Sequence, residues 1–479
     1  MPRASRRHLL LSSGGLAAAI GTGFAARAEV SNAMPASQGA IEPFWGPHQG
    51  GIVTPAQAHS YFAAFDLITE QRDEVVATLQ RWTTASAALS LGKTIMVPAV
   101  SKASAAGAAA GYPTGSDTKA ANPGAHTAGD GSVGAGSIGR RADATSGGDN
   151  ANAYGSGYGT NAASEPPDPG HDSLEALELG ASRLTLTFGF GPGLFVRDGK
   201  DRYGLAASRP AALVDLPRFN GDQLATTRTG GDLSIQACAD DPQVAFHAIR
   251  ELARLASGVA RVRWTQAGFI SQPKAGVTPR NLLGFKDGTQ TPRQIEKVVW
   301  VGDEGPAWMG GGSYVVVRRI RMALEHWDRT HVSFQQQTIG REKRSGAPLG
   351  LKDEFQPLGL DRTDKDGNPI IPDTAHVRLA NADTNGGAEV LRRGYSYNDG
   401  ANFTAERWPP WRQGIEYDAG LFFVCYQRDP RTGFIRIFEN MAKLDMLNQF
   451  VTHTGGGLFA CPGGVSEGQF IGQKLFEGV

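Results

Sequence analysis

Asn281-Leu282-Leu283-Gly284-Phe285-Lys286-Asp287-Gly288-Thr289 leads through apolar residues to an acid held between two glycines. Gly284 and Gly288 carry no Cβ, so the backbone there can turn sharply and come close to a large flat ligand, while apolar neighbours would keep water from the Asp287 carboxylate. Asp-Gly is also a common turn dipeptide, and the same residues read equally well as an exposed turn. The remainder of the chain decides between a turn and a chemical site.

Working outward, the flanking segments describe two α+β halves. Before the opening stretch, Tyr61 to Leu67 suits a strand, Glu70 to Leu91 has helical periodicity, and Arg183 to Phe188 and Asp232 to Gln236 suit further strands. Pro242 to Ser257 is expected to be a helix, capped by Asp240-Asp241 and presenting Val244, Ile249, Leu252 and Leu255 on one face. A second unit is expected to begin near Arg261 to Phe269. It takes in strands at Ser313 to Val317, His376 to Leu379 and Gly420 to Gln427, a helix around Glu439 to Phe450, and a closing strand at Gly457 to Cys461. No internal sequence repeat is visible.

With 479 residues, the chain exceeds what one core usually organises. Its 47 basic and 47 acidic side chains balance, and no basic block is present, so neither nucleic acid nor an anionic membrane is implied as a partner. Ser5-Arg6-Arg7-His8-Leu9-Leu10-Leu11 reads as a twin-arginine export signal, with Ala26-Arg27-Ala28 as the cleavage site and 1–28 as the signal segment. Its apolar run is too short to span a bilayer, and no later stretch reaches the roughly 20 apolar residues a span needs. No stable membrane insertion is expected, and a periplasmic or extracellular destination is. Export of folded protein suits a chain loaded with a cofactor beforehand. Residues 101–170 are dominated by Gly, Ala, Ser, Asn and Asp, and read as a disordered insertion within the first half. Cys238, Cys425 and Cys461 sit in apolar contexts with no metal-type spacing, which suits buried free thiols.

Several familiar motifs fail on inspection. Gly189-Phe190-Gly191-Pro192-Gly193 has no following helix to receive a pyrophosphate, and Asp364-Lys365-Asp366-Gly367 has Arg362 where a calcium loop needs its first ligand. HExxH, P-loop and nucleophile-elbow patterns are absent. Ala375-His376-Val377-Arg378-Leu379 alternates, so strand geometry would put His376 and Arg378 on a face opposite Val377 and Leu379. His376 then reads as a surface strand residue or as an imidazole projecting toward a metal. In Leu391-Arg392-Arg393-Gly394, an extended backbone sends the two arginines to opposite sides, so one of them at most enters a pocket.

Taken with Leu421-Phe422-Phe423-Val424-Cys425-Tyr426-Gln427, Trp327-Asp328-Arg329-Thr330 and Gly346-Ala347-Pro348-Leu349-Gly350, these segments resemble the dye-decolourising haem peroxidases, most of all their exported deferrochelatase/peroxidase branch. The resemblance implies an α+β fold of two ferredoxin-like domains with antiparallel sheets, of the dimeric α+β barrel type, at 41–260 and 261–479. It implies one haem b per chain, with the iron axially ligated by His376. Asp287 falls on the distal acid and Arg392 on the distal arginine. Gly288, Thr289 and Gln290, and Asn381, Ala382 and Asp383, fall on segments beside the haem. Relatives read Asn-Pro-Arg in the latter, and the departure at Ala382 and Asp383 removes an arginine that would meet a propionate. Asp445 falls where a carboxylate bonds the proximal imidazole. Hydrogen peroxide and an organic reductant are the implied substrates; components of an iron-uptake system and a second copy of the chain, as a homodimer, are the implied partners. The alternative is a haem-binding or delivery protein with incidental peroxidase activity. A carboxylate remains a base in acid that would charge an imidazole, so Asp287 as proton carrier implies an acidic optimum.

Overall fold

The computed structural model describes residues 39–95, 171–292, 294–405 and 413–477, all within the compact unit Ala36–Val479. The signal segment and the whole of the expected insertion, 101–170, lie outside the described residues. In the first half, β1 (His59–Leu67) leads into α1 (Arg72–Leu89), followed by β2 (Thr185–Phe190), a single turn α2 (Pro192–Phe195), β3 (Leu233–Ala239), α3 (Pro242–Leu255) and β4 (Ala260–Phe269). Local chemistry accounts for these elements. Val75, Leu79, Trp82 and Leu89 make the buried stripe of α1. In α3, Pro242 occupies the first turn, and the Asp241 carboxylate accepts from the backbone N–H groups of Gln243 and Val244 at 2.7 and 3.1 Å. The Trp82 indole N–H donates to the Leu252 carbonyl at 2.6 Å and ties the two helices together.

The second half contains α4 (Ile295–Val299), β5 (Ser313–Met322), α5 (Leu324–Trp327), α6 (Val332–Ile339), α7 (His376–Leu379), β6 (Leu391–Arg392), β7 (Tyr395–Ala405), β8 (Gln413–Gln427), α8 (Phe434–Leu444), β9 (Val451–Cys461) and α9 (Gln473–Glu477). All strands join one antiparallel sheet in the order β5-β9-β2-β3-β1-β4-β7-β8-β6, and β5 also pairs with β8, which closes a ring. Within the ring, β4-β1-β3-β2 is the strand order of a ferredoxin-like unit, and β9-β5-β8-β7 repeats that order. The duplication that the residues hide is therefore plain in the topology. The two sheets meet at narrow seams, where Phe190 opposes Ala460 and Phe269 opposes Ser396.

Two sequence expectations are corrected. β4 was assigned to the head of the second half, but it pairs with β1 along its whole length, because the first unit needs it as fourth strand. His376–Leu379 is a helical turn and not a strand: the N–H groups of Arg378 and Leu379 both donate to the Ala375 carbonyl.

Between the two sheets, Phe62 and Trp264 of the first half pack with Phe422, Val424 and Phe459 of the second. Two polar groups trapped there find partners across the halves. The Tyr426 hydroxyl donates to Gln236 Oε1 at 2.7 Å, and Arg319 donates to Gln266 Oε1 at 2.8 Å and to Asp399 and Asp418. Cys238, Cys425 and Cys461 are buried free thiols.

His453 on β9 marks a weak point in acid. Burial, followed by the positive charge of Arg318, lowers its pKa from 6.5 to about 3. The unfolded chain therefore takes up this proton first. The stability tied to neutral His453 is complete above pH 6.5 and is withdrawn as pH falls toward 3, by up to about 1.4 kcal/mol per unit. Urea midpoints measured between pH 7 and 4 are expected to fall less steeply in His453→Leu than in the wild type; identical slopes would remove His453 from the account.

Candidate functional site

The opening stretch folds as a small loop pinned from both sides. The Asn281 side-chain oxygen accepts from the N–H groups of Leu283 and Phe285, and the Asn281 N–H donates to the Phe285 carbonyl at 3.0 Å. This closure needs Gly284 at φ +83°, in the left-handed region. Leu283 and Phe285 are buried beside Trp327, whose indole N–H donates to the Leu283 carbonyl at 3.0 Å. The apolar lead-in thus anchors the loop below and does not shield Asp287, whose side chain stays 30% exposed.

Around the acid, the Asp287 N–H donates to the Pro279 carbonyl at 2.9 Å and Gly288 stands at φ +108°. A Cβ at Gly288 would meet nothing closer than Thr278 Cγ2 at 3.9 Å, so a bare stretch of backbone faces open space. Glu354 was not singled out from the sequence, and it holds the rest: it accepts from Thr278, Lys286 and Thr289, which bracket Asp287. No motif marked it, since its three partners converge only in the folded loop.

Arg392 and Arg393 diverge as an extended pair should. Arg392 donates to Asp287 Oδ1 at 2.9 Å, and Asn281 Nδ2 lies 3.4 Å from Oδ2. Arg393 is buried and donates to the Thr54 carbonyl and to Gln57, which draws a first-half loop against the second half. That loop, Ile52 to Ala56, forms one wall of an open cleft. Asp287, Gly288, Gln290 and Arg392 line it too, with Leu421 and Phe423 as apolar surface. Thr289 turns to Glu354 instead of the cleft.

His376 is positioned by a break in a helix. The sequence suggested a continuous helix from Glu439 to Phe450, but α8 stops at Leu444 and Asp445 adopts an extended backbone. Asp445 Oδ1 accepts from the Leu447 N–H at 2.8 Å and caps the next turn. Oδ2 is left for His376 Nδ1, at 2.7 Å. Burial disfavours charge on this imidazole, yet the Asp445 carboxylate outweighs it and raises the pKa above 6.5; Arg392 and Asp287 also act on it, in opposite directions. Among the described residues, His376 Nε2 has no hydrogen-bond partner. Arg378, expected on the same face, donates instead to the Ile371 and Leu360 carbonyls. Asn381, Ala382 and Asp383 form the turn after α7: Asn381 Oδ1 accepts from the Asp383 N–H at 2.8 Å, and none of the three lines the cleft.

The arrangement suits a planar metal macrocycle. An imidazole with its Nδ1 engaged by a carboxylate and its Nε2 free is a prepared axial donor. Bare backbone at Gly288 and apolar side chains at Leu421 and Phe423 offer contact to a flat ring. Fold and site together thus suit an oxidoreductase that holds such a macrocycle.

The family models agree: the Dyp-type peroxidase N-terminal model matches residues 49–136 and 137–270, and the Dyp-type peroxidase C-terminal model matches 278–466. The dye-decolorizing peroxidase of Thermobifida fusca (strain YX) is 41% identical over 326 residues, covering 65% of this chain and 72% of its own. A deferrochelatase of Yersinia pseudotuberculosis is 31% identical over 494 residues, covering 99% and 95%. Ferric DtpA from Streptomyces lividans superposes with a TM-score of 0.70 at 35% identity, over 93% of this chain and all of that one. The chain belongs to the Dyp-type peroxidase family. It is accordingly a peroxidase that uses hydrogen peroxide and a reductant, and the family implies a haem cofactor.

Proposed function

We propose that this enzyme binds one haem b through His376, reduces hydrogen peroxide at Asp287 and Arg392, and oxidises bulky organic substrates, dyes and porphyrins among them. The observation that carries the reading is a pair of carboxylate-held groups: His376 bonded to Asp445 at 2.7 Å, and Arg392 bonded to Asp287 at 2.9 Å in the cleft. Haem, when bound, supplies the redox centre for peroxide and reductant. The chain supplies the proton work. With haem bound and serving as the two-electron reductant and acceptor of the remaining oxygen atom, Asp287 would take a proton from hydrogen peroxide and return it to the oxygen that departs as water. Arg392, bonded to Asp287 at 2.9 Å, orients that carboxylate and stabilises the negative charge developing on the departing oxygen. Asp445 retains the Nδ1 proton of His376, fixing the tautomer and raising the basicity of Nε2. Gly288, Thr289 and Gln290 supply backbone beside the ring. Asn381, Ala382 and Asp383 form the turn after His376 and would lie near the haem it holds.

The near full-length relatives are named deferrochelatases. On that likeness, this enzyme also releases iron from haem with the porphyrin intact. Twin-arginine export to the periplasm or beyond follows from Ser5 to Leu11, and among the described residues no helix is long and apolar enough to cross a membrane. The partners of this reading are components of an iron-uptake system and a second copy of the chain.

The absorption spectrum of the purified protein before and after peroxide tests the peroxidase reading: a Soret band is expected that changes on peroxide addition and recovers with reductant. Incubation with excess haem is expected to yield fluorescent metal-free porphyrin. Ring-opened products in its place would reject iron release while leaving the peroxidase reading standing.

A further inference from the structure

Remote from the cleft, α3 carries a second constellation. His247 and Glu251 stand one turn apart, so both side chains leave the same face of the helix. Asp172, where the described chain resumes after residue 170, meets them there, and donor atoms of the three residues lie within 4.8 Å of one another. All three side chains are buried: Asp172 is 3% exposed, His247 6% and Glu251 1%. Asp172 accepts from the Ile95 and Leu174 N–H groups, and Glu251 accepts from the Ser173 N–H and hydroxyl and from Arg254; the Ser173 hydroxyl also meets Glu175. His247 Nε2 sits 3.5 Å from Asp172 Oδ2. His247 Nδ1 is buried with no hydrogen-bond partner, 3.2 Å from Glu175 Oε1. A buried imidazole nitrogen without a hydrogen bond, among carboxylates, is a costly arrangement unless something else occupies it.

Charge points the same way. Three carboxylates, Asp172, Glu175 and Glu251, converge here. Arg250 pairs with Glu175 and Arg254 with Glu251, while among the described residues Asp172 pairs with no arginine or lysine. A bound dication would answer the charge of the carboxylates that the two arginines leave, with one nitrogen of His247 as a ligand. The arginines then orient the carboxylates from behind, as outer partners of metal ligands do. An imidazole among carboxylate oxygens favours a first-row transition dication over calcium or magnesium, which take oxygen ligands.

We propose that Asp172, His247 and Glu251, with Glu175 beside them, bind one divalent transition-metal ion that ties the chain's re-entry at Asp172 to α3. Ile95 is already hydrogen-bonded to Asp172, so the ion would clasp both ends of residues 96–170 against the first half.

The test uses untagged, haem-loaded enzyme stripped with a chelator and titrated with Zn2+ alone. One equivalent is expected to bind, to raise the melting temperature, and to bind at least about tenfold more weakly in Asp172→Asn and His247→Gln, with the Soret band unchanged. Zinc-edge X-ray absorption of the loaded wild type is expected to show nitrogen and oxygen neighbours at about 2.0–2.2 Å. This measurement decides the matter if a variant fails to fold. Absence of saturable binding, binding unaffected by both variants, or a zinc shell containing sulfur would each overturn the site and leave an ion-pair network.

Discussion

Replacing His376 by alanine is expected to yield a folded but colourless protein. The side chain is 30% exposed and makes one recorded hydrogen bond, to Asp445, so little of the fold rests on it. Its helical turn is held by buried Ala375 and Leu379 and by Arg378, which binds the Ile371 and Leu360 carbonyls. Removing the imidazole leaves Asp445 Oδ2 without its partner, which costs about 1–3 kcal/mol, while Oδ1 keeps the Leu447 N–H. The whole effect should therefore appear in the Soret absorbance and haem-to-protein ratio, with circular dichroism preserved. Asp445→Asn is expected to keep haem but to raise its midpoint potential, because a neutral amide donates less to the imidazole than a carboxylate. Wild-type haem content in His376→Ala would remove that residue as the ligand.

The second large effect falls on turnover. Asp287→Asn keeps the size of the side chain and deletes its capacity as a base, and peroxide turnover is expected to drop by about 10²–10⁴ with haem content unchanged. Arg392→Leu removes the cation 2.9 Å from Asp287, and a loss of about 10²–10³ is expected. Since the pair acts as a unit, the double variant should be about as slow as the slower single one and not as slow as their product. Wild-type turnover in either single variant would refute the role assigned to it. Stopped-flow mixing with peroxide reads these losses directly, ahead of any step involving the organic reductant.

Much of the fold could be read where one residue has one structural use. Asp241 followed by Pro242 announced α3 because a short acid and a ring without an N–H fit a helix start and little else. The adjacent arginines diverged as foreseen, for an extended backbone leaves them no choice. Reading failed where a short pattern fits two periods. Val377 and Leu379 alternate over too few positions to separate a strand from a helical turn, and the turn begun at Pro372 settled the matter. Asp445 looked like the middle of a helix because its neighbours keep a helical spacing; its two oxygens serve two partners only because the backbone breaks there. Glu354 and the wall from Ile52 to Ala56 reach the site through tertiary contact, which leaves no local pattern. Likewise, the two halves share a strand order and no visible sequence repeat, since burial of one sheet face constrains residue class and not identity.

The placement of β9 bears on how the chain comes into being. Strand β9, Val451–Cys461, is laid between β5 and β2, so the ring remains open until residue 461 has left the ribosome. β1 to β4 can pair once Phe269 has emerged, yet β2 keeps a bare edge until Ala460 arrives opposite Phe190, and β5 waits for the same strand. During synthesis the growing chain therefore carries open β edges, the surfaces most prone to pair with other chains. A ribosome that stops before residue 451 releases a product with those edges uncovered, since β9 is the strand that pairs with both β5 and β2.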